Sequence, residues 1–257
     1  NFVWNCRFCD AEDCYFADSN NTLHVDLTKP GIEYKNPTPD NETKVSSLYN
    51  WAYVNVSTSD ASNNYSAFID WNRSLVGWWR MEDEGGTTFS DSSKWGNDGS
   101  CTNCPNLTTG MRGKAYRFDG EDSIETTFQP ADLQGTSEFS VSLWHKGEES
   151  NLNKLLSGDD GGDDRFYIDI TNNGKYRAAF FDFTSESTIL PSENNWIFLT
   201  FVVQNNSKSS LYINGEENVH IDNTNFVDFA SKNLILGANT LQDSNFLNGT
   251  IDEVMVW

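Results

Sequence analysis

The apolar positions of this chain recur at every second residue or in short unbroken runs. No stretch of about twelve residues keeps the i, i+3, i+4 spacing of an amphipathic helix. The pattern predicts an all-β protein, with strands at 75–81, 115–118, 139–145, 154–157, 165–170, 175–181, 196–204, 209–213, 233–236 and 249–257. Asn173-Gly174 and Asn214-Gly215 stand between successive runs, and because both residue types tolerate positive φ they predict two meander hairpins. The longest apolar run, "WIFLTFVV" at 196–203, suits a buried strand and is too short to cross a bilayer. The acidic stretch "SGDDGGDDR" at 157–165 reads as a solvated hairpin tip.

Residues 1–72 have a different character. They are rich in Asn, Ser, Thr and Asp, and they hold Pro30, Pro37 and Pro39 together with Cys6, Cys9 and Cys14, which predicts a boundary near 70–75.

Charge narrows the partners. With 38 acidic and 17 basic residues the net charge is -21, and no Lys/Arg cluster offsets it, so nucleic acid is excluded as a partner class. A content of 37% hydrophobic and 14% aromatic residues is ample for a buried core. Two C-x-x-C pairs invite a zinc reading, but they lie far apart in the chain and His is scarce. Short-range disulfides, Cys9 with Cys14 and Cys101 with Cys104, suit an oxidising compartment better and leave Cys6 over, as a free thiol or a bridge to another segment or subunit. Eight N-x-S/T sequons, at Asn20, Asn41, Asn55, Asn64, Asn72, Asn106, Asn205 and Asn248, point the same way, to an extracellular or cell-surface glycoprotein. The absence of an initiator Met at Asn1 is read as processing or as a piece of a longer chain.

From "SLVGWWRMEDEGGTTFSDSSKWGNDGS" (74–100) through "GKAYRFDGEDSIET" (113–126), "FSVSLWHKGEES" (139–150), "NNWIFLTFVV" (194–203), "SLYINGEEN" (210–218), "NLILGAN" (233–239) and "NGTIDEVMVW" (248–257), the chain resembles the laminin-G-like, concanavalin-A-like jelly-roll family. The resemblance implies two antiparallel sheets packed face to face over residues 73–257. Residues 1–27 and 28–72 resemble, more loosely, immunoglobulin-like repeats of large archaeal or bacterial surface proteins. An incomplete repeat of that kind would have an open sheet edge able to pair with another subunit or a neighbouring surface-protein domain.

Candidate chemistry follows from these readings. His24, His145 and His220 sit in unrelated contexts with no nucleophile elbow, and the E-x-D-x-x-E motif of the superfamily's hydrolases is not matched by "EDE" (82–84) or "DRFYIDI" (164–170), so no catalytic role is expected. By resemblance a structural calcium ion draws on acids near the first and last strands; the matching positions are Glu82, Asp91, Asp119 and Asp252, the last in "IDEV". A second reading has Asp91 and Asp119 capping turns through Asx-type bonds. Trp78, Trp79, Trp144 and Trp196 fall within strand patterns and read as core, leaving Trp95, Tyr176 and Phe183 as candidate exposed contacts for a glycan. The expected function is a structural or adhesive domain of a surface glycoprotein, able to assemble into a filament or surface layer; the alternatives are a calcium-supported carbohydrate-binding module and a polysaccharide-active enzyme domain.

Overall fold

The computed structural model describes residues 2–4, 7–9, 14–16, 21–23, 31–39, 54–59, 70, 74–83, 85–133, 136, 138–147, 152–159, 164–180, 183–204, 207–224 and 232–257. The chain forms two compact units, Asn1–Trp71 and Asn72–Trp257. In the first, β1 (Phe2–Trp4), β2 (Arg7–Cys9), β3 (Cys14–Phe16), β4 (Asn21–Leu23), β5 (Gly31–Lys35) and β6 (Asn55–Ser59) make three antiparallel ribbons, β1 with β4, β2 with β3 and β5 with β6. The immunoglobulin-like arrangement implied for this region falls mostly outside the described residues.

The second unit contains β7 (Gly77–Trp79), β8 (Thr88–Phe89), β9 (Gly99–Ser100), β10 (Asn106–Thr109), β11 (Lys114–Asp119), β12 (Ile124–Thr126), β13 (Glu138–Gly147), β14 (Asn153–Asp159), β15 (Asp164–Ile170), β16 (Tyr176–Phe180), β17 (Phe183–Glu186), β18 (Ile197–Gln204), β19 (Ser207–Ile213), β20 (Glu216–Thr224), β21 (Ile235–Leu236) and β22 (Asn248–Val256). One eight-stranded antiparallel sheet runs β10-β11-β22-β13-β18-β19-β20, with β7 also on β22. The other runs β17-β16-β15-β14-β21-β12-β9-β8. Among the described residues there is no α-helix, only a 3₁₀ turn at Pro130–Leu133, and no helix is long and apolar enough to cross a membrane.

Alternation decides which residues meet between the sheets. In β18, Ile197, Leu199, Phe201 and Val203 are buried while Phe198, Thr200, Val202 and Gln204 face outward. From the opposite sheet Phe166 stacks on Phe201 with centroids 5.9 Å apart and meets Phe139 edge-on at 5.3 Å. One polar pair is enclosed with them. His145 Nδ1 lies 2.9 Å from the Tyr176 hydroxyl, and burial, with the Arg117 charge second, pushes the imidazole down to about 3, so it is neutral at physiological pH. Gly147 and Gly249 face each other across β13 and β22, and a Cβ on either would come within 3.0 Å of His145 Nε2. The bare backbone there is what admits the ring.

Asn214 (φ 52) and Gly215 (φ 84) form the two-residue turn between β19 and β20. The Asn214 side chain also accepts a bond from Phe198 N at 2.9 Å, fixing the hairpin to β18. The β15–β16 connection closes differently, through a bond from Gly174 N to Thr171 O. Gly237 has φ +82, and a Cβ on it would lie 2.4 Å from the Phe118 ring. Gly237→Ala is therefore expected to cost about 2–4 kcal/mol in denaturant unfolding, and Gly215→Ala, with open space around it, about 1 kcal/mol. Equal losses at the two sites would contradict this packing.

Candidate functional site

The last strand sets up an acidic seam. β22 pairs with β13 on one side, while its other side is shared in succession by β11, through Asn248–Ile251, and β7, through Val254–Val256. Between those stretches the register against β13 shifts, Ser142 pairing with Met255 and Trp144 with Asp252, so β22 holds one extra residue. Glu253, at φ 51, marks the bulge. It returns Val254 to the core side that Ile251 already faces, and it leaves Asp252 on the outer side, fully buried under the 110–113 turn.

Glu82 arrives from the end of β7, where Met81 turns the chain at φ 60. Its carboxylate accepts from Lys114 N at 3.3 Å, while Asp252 Oδ2 accepts from Arg112 N at 3.0 Å. A Cβ on Gly113 would collide with Glu82, and one on Gly110 with Asp252 Oδ2, so the turn approaches both acids through bare backbone. Asp252 Oδ1 is buried with no hydrogen-bond partner. Burial pushes this carboxyl up to about 7; the Arg112 amide opposes the rise, and the charges of Glu253 and Glu82 add to it. Glu253 in turn accepts from Trp78 Nε1 at 2.6 Å.

An orphaned buried carboxylate oxygen beside a second acid is the kind of donor set a hard cation takes. Glu82 and Asp252 are the residues that would hold a calcium ion, whose charge would keep Asp252 ionised. Among the described residues no three His, Cys, Asp or Glu side chains converge as a metal site. Asp91 and Asp119 are engaged in turns of their own. Asp91 accepts from Trp78 N, Ser93 N, Ser93 Oγ and Asn97 N at 2.7–2.8 Å. Asp119 accepts from Glu121 N at 3.1 Å. Glu253 is the participant that sequence reading does not single out; its signal is the three-residue step from Ile251 to Val254 in an otherwise period-two strand.

The Asp91 turn presents the exposed Trp95, 58% accessible, with Lys94 Nζ 4.8 Å from the indole centroid. Trp95, Val76, Asn97, Phe128, Asp132 and Leu133 line a hollow of about 420 Å³. Tyr176 is a correction to the expected glycan contacts: its ring is fully buried against His145 between the sheets, because β16 turns it to the inner face, and burial pushes its phenol up. Phe183 opens β17, opposite Phe180. Trp79 is core, as its strand position suggests, but Trp78, Trp144 and Trp196 are only half-buried.

Cys101 and Cys104 are joined by a disulfide. The β2–β3 register sets Cys9 opposite Cys14, and Cys6 lies outside the described residues. Of the sequons, Asn106 is exposed on β10, whereas Asn55 and Asn248 are half-buried; Asn20, Asn41, Asn64, Asn72 and Asn205 fall outside the described residues.

The family model for the concanavalin A-like lectin/glucanases superfamily matches residues 118–257, just over half of the chain. No curated protein matches the sequence. Among solved structures, the binding domain of Paraclostridial Mosquitocidal Protein 1 superposes with a TM-score of 0.59 at 17% identity, over 72% of this chain and 48% of that one. Domain 4 of AbnA, an extracellular arabinanase from Geobacillus stearothermophilus solved with arabinotriose, gives 0.53 at 22% identity, over 71% and 91%. Trypanosoma rangeli sialidase in complex with sialic acid gives 0.56 at 14%, over 72% and 30%. At these identities the likeness is one of fold, and the matched region spans about half of the toxin domain and under a third of the sialidase.

The Asp252 shift has a signed consequence. A carboxyl raised from 3.8 to about 7 on folding contributes stability that is complete below about pH 4 and lost as pH rises through 7. In chelator the protein is expected to lose on the order of 2–4 kcal/mol between pH 4 and pH 8 through this group. Calcium or Asp252→Asn should flatten the profile, as read by denaturant midpoints; an Asp252→Asn profile identical to the parent's would contradict the assignment.

Proposed function

The chain belongs to the concanavalin A-like lectin/glucanases superfamily, and from that premise we propose that its jelly roll is the carbohydrate-binding, adhesive domain of an extracellular surface glycoprotein, braced by calcium at Glu82 and Asp252. The observation that carries this reading is Trp95. An indole offers a flat apolar face to the C–H side of a sugar ring, and the neighbouring Asp132 carboxylate is an acceptor for hydroxyls. The Asp91 carboxylate holds the loop that presents the ring, so little ordering remains to be done on binding. The hollow of about 420 Å³ suits a short oligosaccharide. The likeness to an arabinanase domain solved with arabinotriose supports the same direction.

Binding without turnover is part of the proposal. Among the described residues the jelly roll's buried acids each have a partner: Asp169 with Arg177 at 2.5 Å and Lys154 at 3.3 Å, Asp122 and, through Oδ2 alone, Asp252 with backbone amides, and Glu253 with Trp78 Nε1. A second role, self-association through the first unit, is favoured by β5, where Ile32 and Tyr34 are 61% and 70% exposed on one face of a two-stranded ribbon.

A glycan array followed by calorimetry tests the primary reading. Saturable binding of a neutral oligosaccharide such as arabinotriose is expected, weakened at least about tenfold, or about 1.4 kcal/mol, by Trp95→Ala with an unchanged melting temperature. Absence of binding to any neutral glycan, or indifference to Trp95→Ala, would refute it. For the second role, the full chain should show concentration-dependent mass in light scattering that Ile32→Ser with Tyr34→Ser removes; a strict monomer would refute that.

A further inference from the structure

The described cations of this acidic protein include several that are matched by a carboxylate: Lys35 by Glu33, Lys208 by Glu217, and Lys154 and Arg177 by Asp169. Two that are not converge on one place. Arg117 of β11 and Lys146 of β13 both lie opposite Thr250 of β22, so Arg117, Thr250 and Lys146 form one row across three adjacent strands on the outer face of the sheet. Among the described residues neither Arg117 nor Lys146 has a carboxylate within 4 Å. With strands 4.7–4.9 Å apart, their Cα atoms are roughly 10 Å apart, a width that brackets one oxyanion with a hydroxyl between the cations.

The row is walled. Arg117, Lys146, Gly147, Thr250 and Glu193 line a hollow of about 190 Å³, and the loop carrying Glu193 is tied down by a bond from Gly147 N to Ser192 O at 3.1 Å. Arg117 is held in place by donating to Asn248 Oδ1 at 2.6 Å and to Phe118 O. Lys146 Nζ stands 5.0 Å from the Trp196 centroid, so an aromatic face adjoins the positive row. In a chain of net charge -21, two adjacent cations with no ion-pair partner among the described residues make a local positive site.

We propose that this hollow is a second glycan seat, distinct from the Trp95 hollow, that takes the carboxylate of an acidic sugar. Arg117 and Lys146 bracket the carboxylate, Thr250 donates its hydroxyl, Glu193 accepts from a ring hydroxyl, and Trp196 flanks the ring. The acidic surroundings exclude long polyanions, so the seat suits single acidic residues within a mostly neutral glycan.

The test is calorimetry on the full chain with a xylotriose that carries one glucuronate, in EDTA to remove calcium bridging, beside its methyl ester. The acid is expected to bind at least tenfold more tightly than the ester. Arg117→Gln and Lys146→Gln should each weaken the acid at least tenfold, and binding should fall between 50 and 500 mM salt, roughly with the two charges neutralised. Because Arg117 also anchors Asn248, Lys146→Gln decides if Arg117→Gln lowers the melting temperature. Equal affinity for acid and ester, no binding of the acid, or no effect of Lys146→Gln would overturn the proposal. Failure of arabinotriose alone would instead count against the Trp95 reading.

Discussion

The extra residue in β22 is the constraint on which the second unit depends. A central strand must keep period two to hold its neighbours, yet β22 serves two partners on one side, β11 and then β7, and a gap opens where one leaves off before the other begins. The bulge at Glu253 lets Ile251 and Val254 both face the core across that gap. It also buries Asp252 on the opposite side without a full set of partners. Packing and chemistry therefore come from the same backbone irregularity, and the cation that the seam suits would offset the strain of enclosing two acids.

Away from the seam the sandwich holds by inter-sheet aromatic contact. Phe139, Phe166 and Phe201 join β13 and β18 to β15, while His145 Nδ1 and the Tyr176 hydroxyl bond each other across the core and His145 Nε2 is enclosed without a partner. The outer faces are used differently. One carries the alternating row Lys154, Asp169, Arg177, Glu186 along directly paired positions, neutralised within the sheet. The other carries Arg117 and Lys146 with only Thr250 between them. The contrast between a closed charge ladder and an open one is the basis for placing a ligand on the second.

Much of the fold was legible because its central strands are hydrophobic enough to stand out. Ile197–Gln204, Glu138–Gly147 and Asn248–Val256 coincide with predicted runs to within a residue or two. The strands missed are those whose stability comes from partners. β20, "EENVHIDNT", looks acidic and turn-like, and only Val219 and Ile221 face inward; β10 is exposed along its length. Among site residues, Asp252 could be found from "IDEV", but the partnership with Glu82 spans 170 positions and depends on where two strands share an edge. Tyr176 misled because an isolated Tyr beside an Asn-Gly turn looks exposed, and nothing local records that His145 waits across the core. Trp95 was legible for the opposite reason, a lone aromatic among Ser, Lys, Gly and Asn.

The bulge and the turn at 110–113 bring Glu82 and Asp252 under one stretch of backbone, the pair proposed above to seat a calcium ion. Trp78, bonded to Glu253 beside it, makes the seat optically addressable. The most direct measurement is tryptophan-sensitised terbium luminescence, with terbium standing in for calcium. Saturable emission at one ion per chain is expected, displaced by calcium and abolished by Asp252→Asn. Emission that is absent, or that survives Asp252→Asn unchanged, would contradict the calcium seat.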